Sequence, residues 1–246
     1  MKYSIVIPTL NEEKYVGILL ESLKKQSFKD FEVLVIEGNS KDKTKEVVSQ
    51  FCGQIENLKL IDSPKTGAAF QRNYGAEKAK SDNLMFMDAD IKLDPDFLQK
   101  IDKYLKTNDV DVLTVKNIPI SNKLVDKFIY WLFCDVYLPI FSKISPVAIG
   151  TFIYIKREAL EAVGGFPEDI FLGEDFNLVR SVHKKGYKKF RIIKDPPIYF
   201  SVRRLNEQGR FKFVMNNVRG SYYYFFKGGI KRKYADKFDF ETGKHK

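Results

Sequence analysis

Apolar residues follow two rhythms in the first 90 residues of this chain. Short apolar runs at Ser4–Pro8, Phe31–Glu37, Leu58–Asp62 and Asn83–Met87 are strand-length and read as strands, the first of them buried. Between them the spacing becomes helical. Val16, Leu19, Leu20 and Leu23 share one helix face, and Asn11 upstream is a good N-cap. Val47, Val48 and Phe51 mark a second helix, and the small-residue-rich stretch Gly67–Ala79 a third. The order β-α-β-α-β-α-β predicts an α/β fold: a mostly parallel sheet with helices on both faces.

The second half is less regular. Helices are expected at Pro95–Leu105, Phe128–Phe141, Arg157–Val163 and Asp175–Lys185, and strands at Val110–Val115, Gly150–Ile155, Lys188–Ile193 and Ile198–Val202. No internal repeat or linker-like stretch interrupts this pattern. One domain is therefore expected over residues 1–220, divided near residue 115, with a basic, aromatic tail at 221–246.

The segment Phe128–Ile155 is rich enough in apolar residues to raise the question of a membrane span. Asp135 and Lys143 interrupt it, and Pro139 and Pro146 break a continuous helix. Its longest uncharged run is the 12 residues Ile144–Ile155, short of the roughly 18 a span requires. Ile149–Ile155 reads as core. Phe128–Phe141 is either core helix or a segment resting in a membrane interface, a setting that suits Tyr130, Trp131 and Tyr137.

Charge sharpens the division. The chain carries +10 overall, yet residues 184–246 hold 18 Lys/Arg against 5 Asp/Glu, leaving 24 against 27 in residues 1–183. The basic C-terminal quarter suits phosphates or anionic headgroups, or is simply a solvated surface. Its run Tyr222–Phe226 beside Lys227, Lys231, Arg232 and Lys233 fits peripheral contact with an anionic membrane. No nucleic-acid-binding motif accompanies it, so no nucleic-acid partner is expected. Two cysteines, Cys52 and Cys134, and two histidines, His183 and His245, exclude a disulfide framework and a His-based metal cluster. With strand-like sequence at the N-terminus and no visible signal peptide, a cytoplasmic protein is expected, possible contact with the membrane face included.

The chemistry concentrates where strands end. Met85-Phe86-Met87 runs straight into Asp88-Ala89-Asp90. Ligands of open α/β sheets bind at the carboxyl ends of strands, and two acids there can hold a divalent cation that also takes phosphate oxygens. Taken alone, an acidic turn accounts for the pair equally well. Three further segments join it: Ile7-Pro8-Thr9-Leu10-Asn11-Glu12, Val35-Ile36-Glu37-Gly38-Asn39-Ser40 and Gln71-Arg72-Asn73-Tyr74-Gly75. A parallel sheet places the first two and the acid pair along one edge. Gly164-Gly165-Phe166-Pro167 then precedes a second acid pair, Glu174-Asp175, which by itself could be helix capping.

This ordered set resembles the family 2 glycosyltransferases of the GT-A fold over about residues 3–213. The resemblance implies an inverting, hexosyltransferase-type enzyme that moves a sugar from a UDP- or GDP-sugar to a glycan or lipid-linked acceptor with Mn2+ or Mg2+. It assigns residues 1–115 to the nucleotide sugar and 116–220 to the acceptor. Pro8, Thr9, Glu12 and Glu37 would border the nucleoside, and Arg72 the donor phosphates. Asp88 and Asp90 would hold the metal, Asp90 the more directly, with Asp175 as general base and Glu174 beside the acceptor. Many members carry two acids where this chain has Glu37-Gly38. Arg203-Arg204 would contact the leaving diphosphate or an acceptor phosphate, or be surface charge. A nucleotidyltransferase of related fold and a non-catalytic binding module are the alternatives; the Gly-rich phosphate loop usual in the former is missing after the first strand.

Overall fold

A computed structural model describes residues 1–142, 146–148, 150–227 and 230–231. In chain order the elements are β1 (Tyr3–Thr9), α1 (Val16–Lys24), β2 (Phe31–Glu37), α2 (Thr44–Ser49), β3 (Leu58–Asp62), α3 (Ala68–Lys78), β4 (Asn83–Met87), β5 (Ile91–Lys92) and α4 (Phe97–Thr107). Then come β6 (Val112–Ile120), α5 (Leu124–Trp131), a π-helical stretch (Leu132–Tyr137), α6 (Leu138–Ser142), β7 (Phe152–Lys156), α7 (Arg157–Glu161) and β8 (Ile170–Leu172). The chain continues with α8 (Glu174–Lys184), β9 (Phe190–Ser201), α9 (Arg203–Gln208), α10 (Arg210–Lys227) and β10 (Ile230–Lys231).

Eight strands form one sheet in the order β3-β2-β1-β4-β7-β6-β9-β5. Strands β3, β2, β1 and β4 are mutually parallel, and β6 runs parallel to β9. Antiparallel β7 joins these two blocks. Side chains alternate across the sheet, so each strand feeds two cores. Ile5, Ile7, Val33, Val35, Met85 and Met87 face α1 and α4; Val6, Leu34, Ile36, Leu84 and Phe86 face α3, α7 and α8. Burial on both faces is why these strands read as unbroken apolar runs.

The first 90 residues fold as the pattern predicts, apart from the start of α1. Asn11 does not cap that helix, which begins at Val16. Asn11 adopts a left-handed backbone (φ 56°), accepts from Lys41 N (2.8 Å) and donates its own N–H to Ser40 Oγ (2.9 Å). Glu12 N donates to Thr44 Oγ1 (2.7 Å) and Glu13 N to Asp42 Oδ2 (3.1 Å). The loop after β1 is thus stitched to the loop after β2, and both are presented together at the sheet edge.

Two expectations for the C-terminal part change. The segments 188–193 and 198–202 form one strand, β9, whose register against β6 shifts between Val115 and Asn117. The boundary expected at 220 falls inside the continuous helix α10, which carries Tyr222 to Phe226; Gly220 lies against Leu172 of β8, close enough that a Cβ would sit 3.3 Å from Leu172 Cδ2. The rest of the expected tail, 232–246, lies outside the described residues. Cys52 and Cys134 are free thiols, as expected. No helix among the described residues is long and apolar enough to cross a membrane.

Gly75 sets how closely α3 approaches the sheet. A Cβ there would lie 2.3 Å from Val6 Cγ1 and 3.0 Å from Ile36 Cγ1. Gly75→Ala is expected to destabilise the chain by about 1–3 kcal/mol through overpacking, measurable as a lowered urea midpoint with an unchanged slope.

Candidate active site

Parallel pairing of β1 with β2 and β4 sets the carboxyl ends of those strands on one edge, with Thr9 opposite Glu37. Gln71, reaching from α3, ties two strand ends: its Nε2 donates to Thr9 O (2.9 Å) and Ile36 O (2.6 Å). Gly38 N donates to Thr9 O at 2.9 Å. A Cβ at position 38 would lie 3.0 Å from both Gln71 Nε2 and Thr9 O, so an acid there would displace this bridge. That is a physical reason for Glu37-Gly38 in place of two acids.

Glu37 is fully buried, and its oxygens accept from Asn39 N (3.0 Å) and Ser40 N (2.6 Å). It shapes its own turn rather than projecting into the cleft. Thr9 is also buried, and Pro8 is partly exposed beside it.

Arg72, 3% exposed, is the hub. Its Nη2 donates to Asp88 Oδ1 at 2.7 Å and its Nη1 to Glu174 Oε1 at 2.9 Å. The guanidinium lies over the Phe166 ring at 5.3 Å. Its buried Nε has no partner among the described residues. Burial opposes the charge, but Asp88, Glu174 and Asp175 together hold the group more firmly protonated than usual. Asn73, the next residue, exchanges hydrogen bonds with Phe166: its Nδ2 donates to Phe166 O (2.9 Å), and Phe166 N donates to its Oδ1 (2.7 Å). The Gly-Gly-Phe loop is thereby docked on α3, and α8 follows from it.

The second acid pair lies in the first turn of α8, after Gly173 in a left-handed conformation (φ 88°). Neither carboxylate occupies the N-cap: Glu174 turns to Arg72, and Asp175 Oδ1 accepts from Phe176 N at 2.8 Å. Burial pushes the Asp175 carboxyl up to about 7; the negative charge of Glu174 adds to this, while Arg72 and the Phe176 N–H oppose it. A Cβ at Gly150 would lie 3.0 Å from Asp175 Oδ2 and 3.3 Å from Arg72 Nη2, so glycine leaves this space open.

A second ion cluster sits beside the first. Arg203 clamps Glu12 with both Nη atoms, at 2.7 and 2.6 Å, lies 3.7 Å from Asp90 Oδ2 and stacks over Tyr15 at 4.8 Å. Asp90 is raised above the usual carboxylate range by burial and then by the charge of Asp88, against Arg203 and Arg204. Burial raises Glu12 likewise, against Arg203. Arg204 is exposed. The structure therefore gathers Asp88, Asp90, Arg72, Glu174, Asp175, Glu12 and Arg203, leaves Arg204 at the rim and turns Glu37 inward.

The sequence reading did not single out Gln71, Asn73, Asn117 or Thr151. Thr151 O accepts from Asp88 N at 3.2 Å, and Thr151 Oγ1 donates to Asn117 Oδ1 at 2.9 Å, which fixes the backbone of the first acid. Gln71 and Asn73 flank Arg72, so proximity in sequence was the available signal. Asn117 and Thr151 sit on β6 and the approach to β7, and nothing in their spacing marks them.

Among the described residues no three His, Cys, Asp or Glu side chains form a metal cage. The donor set still fits one kind of ion. Two acids one residue apart, one raised by burial and then by the other's charge, would suit a hard divalent cation of the kind that also takes water and phosphate oxygens.

The model of the Glycosyl transferase family 2 matches residues 4–164. This chain belongs to that family. It is 26% identical over 218 residues to the poly(ribitol-phosphate) beta-N-acetylglucosaminyltransferase TarS of Staphylococcus aureus, covering 87% of this chain and 38% of that one. Identity to the glycosyltransferase AglE of Haloferax volcanii is 25% over 190 residues, covering 75% of this chain and 62% of the relative. The chain thus spans only part of the curated relatives it matches. Its fold is that of GT-A transferases: residues 1–349 of TarS in complex with UDP superpose with a TM-score of 0.63 at 26% identity, covering 88% of this chain and 64% of the other. The mannosyltransferase PcManGT of Pyrobaculum calidifontis, solved with GDP-Man and Mn2+, gives 0.62 at 23% identity, covering 80% and 56%.

Arg72→Met would leave Asp88 and Glu174 without their shared cation. The expected loss is about 3 kcal/mol, with little rescue by Arg72→Lys, because one ammonium does not reproduce a two-pronged guanidinium. Chemical denaturation of the three proteins checks this.

Proposed function

We propose that this family 2 chain transfers a sugar from a nucleoside-diphosphate sugar to an acceptor hydroxyl with inversion at the anomeric carbon. The observation that carries the reading is the bridge Asp88–Arg72–Glu174: one buried arginine joins the acids after β4 to the acid pair of α8, 102 residues away from it in sequence. Glycosyl transfer needs stabilisation of the departing diphosphate and a base for the attacking hydroxyl, and these two acid pairs supply the two ends.

Asp175 is the base. Its carboxyl, raised to about 7, is basic enough to take a hydroxyl proton as attack proceeds and is ionised above that pH. Glu174 lies beside it and orients the acceptor. Asp88 and Asp90 are the residues that would hold Mn2+ or Mg2+, which when bound offsets the charge gathering on the leaving group as a Lewis acid. Arg72 and Arg203 present guanidinium groups to the same region and suit the diphosphate oxygens, with Arg204 available at the rim. Pro8, Thr9 and Glu12 shape the nucleoside edge, and Glu37 supports it through the turn it holds. The TarS structure with UDP and the PcManGT structure with GDP-Man support a UDP- or GDP-sugar as donor. A relative from Methanococcus voltae named as acting on a dolichyl phosphate-linked sugar, 25% identical over 208 residues, supports a lipid-linked acceptor.

A donor that binds the folded state raises its melting temperature. In a thermal-shift screen with Mn2+, a UDP- or GDP-sugar is expected to stabilise the wild-type chain and to fail with Asp88→Asn/Asp90→Asn; equal stabilisation of both proteins would remove the acids from donor binding.

The pH dependence has a definite sign. Folded Asp175 keeps its proton up to about pH 7, whereas in the unfolded chain it releases it near the ordinary aspartate value of 3.8. The native state therefore binds more protons across that window, and this group's contribution to stability falls as pH rises through it. Asp175→Asn is expected to melt a few degrees higher at pH 8 while losing turnover at least about 100-fold. In the wild type, kcat/KM should fall as pH drops below about 7. A variant that melts lower and remains active contradicts the assignment.

A further inference from the structure

Two helices carry apolar faces that the described residues leave exposed. On α5, Leu124 is 81%, Phe128 59% and Trp131 50% exposed, while Asp126 and Tyr130 on the opposite side are buried. On α10, Phe211 is 82% and Val218 58% exposed, with Val214 and Met215 between them, while Asn216 faces inward. The intervals of three and four residues make each set one stripe of its helix. The helices are joined at their inner sides: Arg210 Nε donates to Asp126 Oδ1 at 2.7 Å, and the rings of Tyr130 and Phe213 lie 5.7 Å apart.

Charge surrounds the stripes. Exposed Lys123 and Lys127 interleave with the apolar positions of α5. From Arg203 to Lys227 the sequence holds six Lys/Arg and one acid, Glu207. Cores of protein–protein interfaces are depleted in lysine. Aliphatic and aromatic side chains mixed with lysine and arginine on a surface helix match the boundary between anionic headgroups and acyl chains. No described helix could span a bilayer, so such a face would lie along it.

The face also leads to the site. Exposed Ile120, four residues before Leu124, and exposed Ile18 line a cavity of about 250 Å3 that Asp90 and Arg203 also line. Tyr130 packs edge-on against Phe200 of β9 at 4.7 Å, so the inner side of α5 rests on the strand that ends just before Arg203.

We propose that α5 and α10 together form a docking surface for an anionic phospholipid bilayer, setting the cavity beside Asp90 at the height of the headgroups. An acceptor carried on a lipid would then meet the site without leaving the membrane. The docking itself does not depend on the transfer reaction.

Trp131 is the chain's one tryptophan, so its emission reports on this face alone. The full chain is mixed with phosphatidylcholine vesicles with or without phosphatidylglycerol. Co-flotation and a blue shift of Trp131 are expected with phosphatidylglycerol, together with quenching by lipids brominated on the acyl chain and weakening at high salt. Phe128→Glu/Phe211→Glu, both at exposed positions, should lose at least about tenfold in vesicle affinity while keeping the wild-type melting temperature and nucleotide binding. Absence of flotation and blue shift at low salt would overturn the proposal. So would undiminished binding by the double variant, or a blue shift that follows protein concentration without lipid, which would assign the face to a second copy of the chain. Nucleotide binding is measured without vesicles, so its failure would count against the proposed reaction and not against the docking.

Discussion

A guanidinium almost wholly removed from water holds the two acidic ends of this site together. Isolated, Arg72 would be prohibitively costly to bury. It is tolerated because Asp88 and Glu174 each take one of its nitrogens and Phe166 offers its ring face. The converse also holds: without it those acids, with Asp175 behind them, would repel one another and draw water into the cleft. Helix α3 places Arg72, Gly75 lets α3 lie close to the sheet, and Asn73 docks the loop that leads to α8. The run Arg72-Asn73-Tyr74-Gly75 therefore encodes one hub and two attachments.

Arg203 performs a similar service at a different point. It comes from just past the last long strand's end, reaches back to Glu12 in the first loop and lies 3.7 Å from Asp90. Two arginines from distant parts of the chain thus pair with four acids before any ligand is present, so acids outnumber arginines in the site. In the proposed reaction a diphosphate and a cation enter a site where these ion pairs already stand, and the pairs must rearrange around them. Burial raises the carboxyls of Asp90 and Asp175 above the usual range, and their neighbours Asp88 and Glu174 add to it.

Much of this was legible in the sequence because the first half is governed by burial on both sheet faces. Such strands must be continuous apolar runs, so β2 and β4 have the bounds the pattern gives; β3, half-buried at the sheet edge, keeps its expected bounds through Leu58, Leu60 and Ile61. The acids after β4 and at the start of α8 were equally legible as residue types. Their partners were not. Asn11 looks like a helix cap and instead serves a neighbouring loop, since local sequence cannot reveal that a residue 30 positions later competes for its side chain. Glu37 looks like a ligand contact and is held by its own turn. The kinship of 188–193 and 198–202 as one strand was hidden by Asp195-Pro196-Pro197 between them, which sequence rules read as a break.

Inversion in the proposed reaction requires Asp88/Asp90 and Asp175 to face the reacting carbon from opposite sides. A crystal structure of the chain with a non-hydrolysable nucleotide-sugar analogue and Mn2+ tests it most directly. The account predicts Mn2+ on Asp90 or Asp88 and the diphosphate, with the Asp175 carboxylate on the face of the anomeric carbon opposite the leaving oxygen. A donor bound away from these strand ends, or Asp175 on the diphosphate side of the sugar, would contradict it.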